Sequence, residues 1–288
     1  MSIFIKDPYS RHIALFSDDH KTLAAILATE TEPDEIRLIS SDADDISPFL
    51  FYTKSHTKIS SVGFEASEGC DLFIIDSRDA RSVAKNAVDN GFDGVFLVIG
   101  SADECDAVLK GSGYYHSRKS ECLATDVMPK NASLRMSIGK YFSVSPHDVS
   151  VFFIGCRKNG FIAWSSGSVC SKSIPDVIED SYGEYSYERL LEISSEAIRK
   201  PDSYLSHAFA ASALARAILY DERRVLTVCS MLSGDYGHSG VCASLPAIVG
   251  KRGITEKLKL PFDSFELSQL QEICNDLSAG KKEASAKK

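Results

Sequence analysis

Hydrophobic residues in the first part of the chain fall in short continuous runs separated by stretches of helical period. Ile13-Ala14-Leu15-Phe16 predicts a strand, and Ser17-Asp18-Asp19-His20 offers caps to a helix running through Leu23, Ile26 and Leu27. Ile36 to Ser40 predicts a second strand. The pattern is then weak until Asp71-Leu72-Phe73-Ile74-Ile75-Asp76, a run apolar at consecutive positions and therefore buried on both faces. A helix from Asp79 to Asn90, a strand from Gly94 to Ile99, a helix from Ala102 and a short run at Cys122-Leu123-Ala124 follow. Strands alternating with helices in this way predict an α/β fold with a parallel, doubly wound sheet over residues 1–126.

Beyond Asp126 the order changes. A helix around Ala132 to Phe142 precedes Val149 to Gly155 and Gly160 to Trp164, which read as a hairpin. Tyr187 to Arg199 is amphipathic at helical spacing, and a further helix opens near Ser203, just behind Pro201. Its Ala208, Ala210, Ala211, Ala213 and Ala217 make a face of small residues, which admits another backbone closely, either inside the core or at a subunit contact. Residues 223–260 carry the most consistent local signals. Val225 to Leu232, Val241 to Val249 and the alternating stretch from Ile254 to Leu260 are joined by Ser233-Gly234-Asp235-Tyr236-Gly237 and by Gly250-Lys251-Arg252-Gly253. This predicts an antiparallel meander, with Pro246 marking an edge or a bulge because it cannot donate to a ladder. A Rossmann-like domain is thus followed by an α+β domain over residues 127–279 and a disordered basic tail at 280–288.

With 288 residues, 44% apolar and 25% charged, the chain can bury a sizeable core as one large domain or two lobes. A net charge of −8 argues against a nucleic-acid surface, which needs clustered cations. No run is long enough for a membrane span and Met1 to His12 carries no targeting pattern, so a cytoplasmic location is expected. The eight cysteines stand singly, without zinc spacing, and should be reduced and buried, with no metal site.

Ser233 to Gly237, Leu245-Pro246-Ala247-Ile248-Val249-Gly250, Gly253-Ile254 and the helix from Asp263 onward resemble, in that order, the C-terminal domain of the lactate and malate dehydrogenase family. The resemblance implies NAD as cofactor, a proton-shuttling His with an orienting Asp, substrate-clamping Arg residues, and dimers or tetramers formed through the helix matching 203–222. The residues at the matching positions differ. The Gly-rich first turn is replaced by Phe16-Ser17-Asp18-Asp19-His20-Lys21, whose two carboxylates would repel a diphosphate. The second strand ends in Ser40 and Ser41, with Asp42 next along, where an acid should hold the ribose. The His position is Arg157 in Gly155-Cys156-Arg157-Lys158, and a guanidinium does not release its proton near neutral pH. In Pro129 to Arg135, Lys130 stands for the Asp and Ser133 for the clamping Arg, while Arg135 coincides with a second Arg of the family. Ser101-Ala102-Asp103-Glu104 replaces a turn that carries Asn. Only Ser77 and Arg78 lie between Asp76 and the capping Asp79, leaving no room for a mobile lid, and Arg78 and Arg81 read as solvated.

The leading expectation is a catalytically inactive or strongly impaired relative, binding no cofactor and kept as a scaffold or assembly partner. The alternative is an active NAD-dependent dehydrogenase of malate or another 2-hydroxy acid with an atypical site. A third reading takes Cys156, between cations, as a reactive thiol, or Lys130, Arg135, Arg157 and Lys158 as an anion pocket. A pure binding module stands beside these.

Overall fold

The structure is a computed structural model that describes residues 10–39, 53–114 and 121–286. The first half contains β1 (His12–Ser17), α1 (His20–Thr31), β2 (Glu35–Ile39), β3 (Lys58–Val62), β4 (Leu72–Asp76), α2 (Ala80–Asp89), β5 (Val95–Val98), α3 (Ala102–Gly111) and β6 (Cys122–Ala124). The second contains α4 (Met128–Tyr141), β7 (Val149–Ser150), β8 (Phe153–Gly155), β9 (Gly160–Ile162), β10 (Ser168–Val169), β11 (Lys172–Ser173), α5 (Ile174–Glu179) and α6 (Tyr187–Arg199). Then come α7 (Tyr204–Leu219), β12 (Arg224–Asp235), β13 (His238–Gly250), β14 (Gly253–Lys257) and α8 (Ser264–Ala286). Ser40, Ser41 and Asp42 lie outside the described residues, and α8 continues into the stretch expected as a tail.

Strands β3-β2-β1-β4-β5-β6 pair in parallel in that order. The chain leaves β1 in one direction for β2 and returns on its other side for β4, so the topological switch lies between β1 and β4. Period-two alternation divides the strand side chains between two cores. Ile13, Leu15, Leu72, Ile74 and Leu97 face α1 and α7, whereas Ala14, Phe73, Ile75, Phe96 and Val98 face α2 and α3. This is the expected doubly wound α/β arrangement. β3, at the sheet edge, escaped the pattern because Lys58 and Ser61 are exposed and only Ile59 and Val62 of its five residues are apolar.

The meander follows as expected with longer strands. Its first turn is a tight pair, Tyr236 and Gly237, both at positive φ (48° and 84°), the conformation of a two-residue hairpin that follows the strand twist. β12 joins β6 antiparallel through Cys229 and Ala124, so both halves share one eleven-stranded sheet among the described residues. Pro246 is not on an edge strand, since β13 pairs with β12 on one side and with β8 and β14 on the other. It sits between Ser244, which pairs with β8, and Ala247, which pairs with β14. Its carbonyl accepts from Leu258 N at 2.9 Å, one residue past the Ala247–Lys257 pair, so the donor it lacks falls at the end of the β13–β14 ladder.

The run Val149 to Gly155 is split rather than one strand. Val149, Val151 and Phe153 enter a core with α4 and α6, and Ile154 enters a second core with β13 and α8, so the run is apolar because it passes between two cores. β7 belongs to a separate sheet, β11-β10-β7, and β8-β9 form the expected hairpin. In α7, Ala208, Ala211 and Ala217 are buried in the core shared with α1. The small-residue face therefore serves packing within the chain.

Candidate functional site

In an open parallel sheet, ligands lodge outside the carboxyl ends of the strands, at the switch point. Here that edge is occupied by side chains of α7. Asp76, the last residue of β4, accepts from the Ser17 hydroxyl at 2.8 Å and from the Tyr204 hydroxyl at 3.0 Å through the same Oδ2. Ser17 is the last residue of β1, so the strands flanking the switch are joined to each other and to the first turn of α7. Burial and the Asp76 carboxylate raise the Tyr204 pKa. Of the two acids expected to guard this corner, Asp19 caps α1 by accepting from Thr22 N at 3.4 Å, and Asp18 is exposed.

One turn further along α7, on the same face, His207 Nδ1 lies 3.0 Å from Thr125 Oγ1, and both side chains are buried. Thr125 follows β6. Thus α7 spans the carboxyl edge from β1 to β6. His207 Nε2 is 3.8 Å from Asp202 Oδ2. Burial, followed by the nearby positive charge of Arg157, lowers the His207 pKa to about 4 against the pull of Asp202.

The next residue, Asp126, is fully buried at φ 23°. Its Oδ1 accepts from the backbone N–H of Arg157 at 3.1 Å and its Oδ2 from the Ser244 hydroxyl at 2.8 Å. Burial pushes its pKa up to about 6. Asp126 therefore ties the corner after β6 to the β8–β9 turn and to β13. Asn131 makes a parallel tie, accepting from Phe153 N at 2.8 Å and donating to Phe153 O at 3.0 Å.

Arg157 and Lys130, the residues expected at the positions of the family's proton shuttle, both act on the charge of His207. Lys130 Nζ donates to the Ile198 carbonyl at 2.7 Å. Lys158 pairs with Asp103 at 3.0 Å on the surface. Lys130, Arg157 and Lys158 line a common cavity of about 590 Å³, and Arg157, Lys158, Cys156 and Arg81 line a second of about 800 Å³ on the other side of the β8–β9 turn. Arg135 does not join them. It donates to His147 O at 3.3 Å and has Arg224 as its charged neighbour, so the expected four-cation pocket reduces to three. Cys156 is buried, and burial raises its thiol pKa, the opposite of the activation expected from its cationic sequence neighbours. Ser133 lies on α4, half-buried. Ser101 caps α3, with Glu104 accepting from its backbone N–H at 2.8 Å. β4 is followed after Ser77, Arg78 and Asp79 by α2, which leaves no room for a lid, as expected. Among the described residues no cluster suits a metal ion, and no helix is long and apolar enough to cross a membrane.

Tyr204, Asp76, His207 and Asp126 were not singled out from the sequence. A tyrosine and a histidine three residues apart in an alanine-rich helix are the one local sign that its face meets polar groups.

Residues 134–288 match the family described as lactate/malate dehydrogenase, alpha/beta C-terminal domain. The match covers more than half of the chain, which belongs to the lactate/malate dehydrogenase family. It is 28% identical over 214 residues to the L-lactate dehydrogenase of Pediococcus pentosaceus, covering 68% of this chain and 63%, under two thirds, of that relative. It is 25% identical over 257 residues to L-lactate dehydrogenase 3 of Bacillus thuringiensis, covering 79% of this chain and 80% of the other. In fold it resembles the lactate dehydrogenase MGS-M5 from a Medee basin deep-sea metagenome, with a TM-score of 0.85 and 23% identity over 96% of this chain and 99% of that one.

Proposed function

We propose that this chain is a non-redox member of the family, a cytoplasmic homo-oligomer that binds no NAD and is retained as a scaffold or assembly partner. The observation that carries this reading is the seal across the switch point, in which Asp76 holds both Ser17 and Tyr204. The residues at this edge do not fit a dinucleotide. A diphosphate at the first turn needs close backbone approach and free amides, but Asp19 N is already bonded to Ser17 Oγ at 3.1 Å and Thr22 N is taken by Asp19. At the position expected for the family's proton-shuttling His stands Arg157, and a guanidinium does not serve as a general base.

The experiment is an NADH titration followed by cofactor fluorescence and by melting temperature. No response at millimolar cofactor is expected. Saturable binding, together with malate or lactate oxidation that a single-site substitution abolishes, would overturn the proposal.

One observation favours the second reading, an active NAD-dependent dehydrogenase of a 2-hydroxy acid with a relocated shuttle. His207 and Asp202 form a His–carboxylate pair beside Arg157. On that reading His207→Asn abolishes turnover while the protein stays folded.

A further inference from the structure

The cavity of about 590 Å³ lies between the β8–β9 hairpin, α6 and α8. Its walls are about half apolar, that half coming from residues such as Trp164, Leu191, Ile198 and Phe265. Leu191 and Phe265 are 49% and 69% exposed, so they stand at the mouth rather than in a closed core. The cations Arg157 and Lys130 line it as well, and their charges act on buried His207.

Arg157 is the unusual group. Its Nε is buried with no hydrogen-bond partner, which is costly for a guanidinium unless something enters to accept from it. Asp126 does not serve, because it takes its bond from the Arg157 backbone and so fixes the turn that carries the side chain. Lys130 spends one donor on the Ile198 carbonyl, and an ammonium has two more. The acids at the rim are engaged elsewhere. Glu266 accepts from Ser165 N at 3.0 Å and from Asp263 N at 3.2 Å, and Asp263 accepts from Glu266 N at 2.8 Å.

We infer that this cavity binds a monocarboxylate with an aromatic or branched apolar body. The carboxylate bonds Arg157 and Lys130, and the body lies against Trp164, Leu191, Ile198 and Phe265. A two- or three-carbon acid would leave most of the volume unfilled, since pockets of roughly 300–1,000 Å³ suit larger ligands. Recognition depends on the carboxylate and the apolar body and needs neither a 2-hydroxyl nor a dinucleotide. It therefore stands or fails separately from the non-redox reading.

Trp164 is the one tryptophan in the chain and lines the cavity, so its fluorescence reports on occupancy. The probe is 3-phenylpropionate, titrated without cofactor and followed by Trp164 emission and by calorimetry. Propionate and 3-phenylpropan-1-ol are the comparison ligands. Saturable binding with a dissociation constant below about 1 mM is expected, with both comparison ligands at least about tenfold weaker. Arg157→Gln should weaken 3-phenylpropionate by about tenfold or more and leave the alcohol unchanged, because it removes a charge-assisted bond and little apolar surface. If that variant does not fold, Lys130→Gln takes its place with the same expectation. Absence of both heat and emission change, equal affinity for the alcohol and the acid, or unchanged affinity in a folded variant would each overturn the inference.

Discussion

The Tyr204 hydroxyl donates to the Asp76 carboxylate at 3.0 Å, joining the start of α7 to the end of β4 across 128 residues of sequence. Asp76 takes a second bond from Ser17, so one carboxylate oxygen holds three elements together at the place where a parallel sheet usually receives its ligand. Tyr204→Phe removes one hydrogen bond to a carboxylate while keeping the ring. It should lower stability by about 1–2 kcal/mol in urea denaturation, without creating a dinucleotide response, because Ser17 and Asp76 remain bonded.

His207 predicts how stability follows pH. Its folded pKa is about 4 against an ordinary 6.5, so between those values the unfolded chain takes up a proton that the native state excludes. The stability it contributes is present above pH 6.5 and is lost as pH falls towards 4. His207→Asn, which keeps a polar partner for Thr125, should flatten that window. The change corresponds to at most roughly 3–4 kcal/mol, read from urea midpoints measured across the window.

The regular parts of this molecule were legible because their signals are local. Leu72 to Ile75 is apolar at consecutive positions, as a strand buried on both faces requires, and Asp79 and Ser101 cap the helices that follow. The contacts that decide the site were not legible. Asp76 reads as a strand end, Asp126 as a corner and Ser244 as a strand interior, and nothing in their neighbourhoods announces that Asp126 and Ser244, 118 residues apart, share a hydrogen bond. Cys156 misled for the same reason. Its sequence neighbours are cations, but its spatial neighbours bury it, and burial dominates the pKa. Gly111 offers a similar case. A Cβ there would stand 2.1 Å from the Arg81 carbonyl, a close approach of α3 to α2 that the sequence shows only as one glycine at a helix end.

Glu121 pulls in the direction opposite to His207. It precedes β6, accepts from Ile254 N at 2.9 Å, and burial pushes its pKa to about 7 from 4.5. Between those values the native state holds a proton that the unfolded chain has released, so this contribution to stability falls as pH rises through the window. Glu121→Gln retains an acceptor for Ile254 and removes the buried charge. It should stabilise the protein by about 1–3 kcal/mol at pH 8 and leave it nearly unchanged at pH 4.5, as melting temperatures at the two values would report. A fall in stability at pH 8 would mean that the attraction of Lys257 outweighs burial.

The proposed self-association has a definable surface on α7. The face carrying Ala208, Ala211, Leu214, Ala215 and Ile218 is consumed by the core with α1, so a partner subunit cannot use it. The outward stripe carries Leu205 and Phe209, which lie one turn apart and are 52% and 46% exposed. Two large apolar side chains held side by side on a helix whose other face is rigidly packed form a contact that gains by being covered. Substituting both by Asp would place like charges opposite each other in any two-fold arrangement through this stripe, while leaving the buried face intact. Light scattering should give a multiple of the chain mass for the parent protein and a single-chain mass for the double variant, with unchanged circular dichroism. A parent protein that is already monomeric at tens of micromolar, a range in which ordinary dimers form, would remove the proposal that this stripe is a subunit contact.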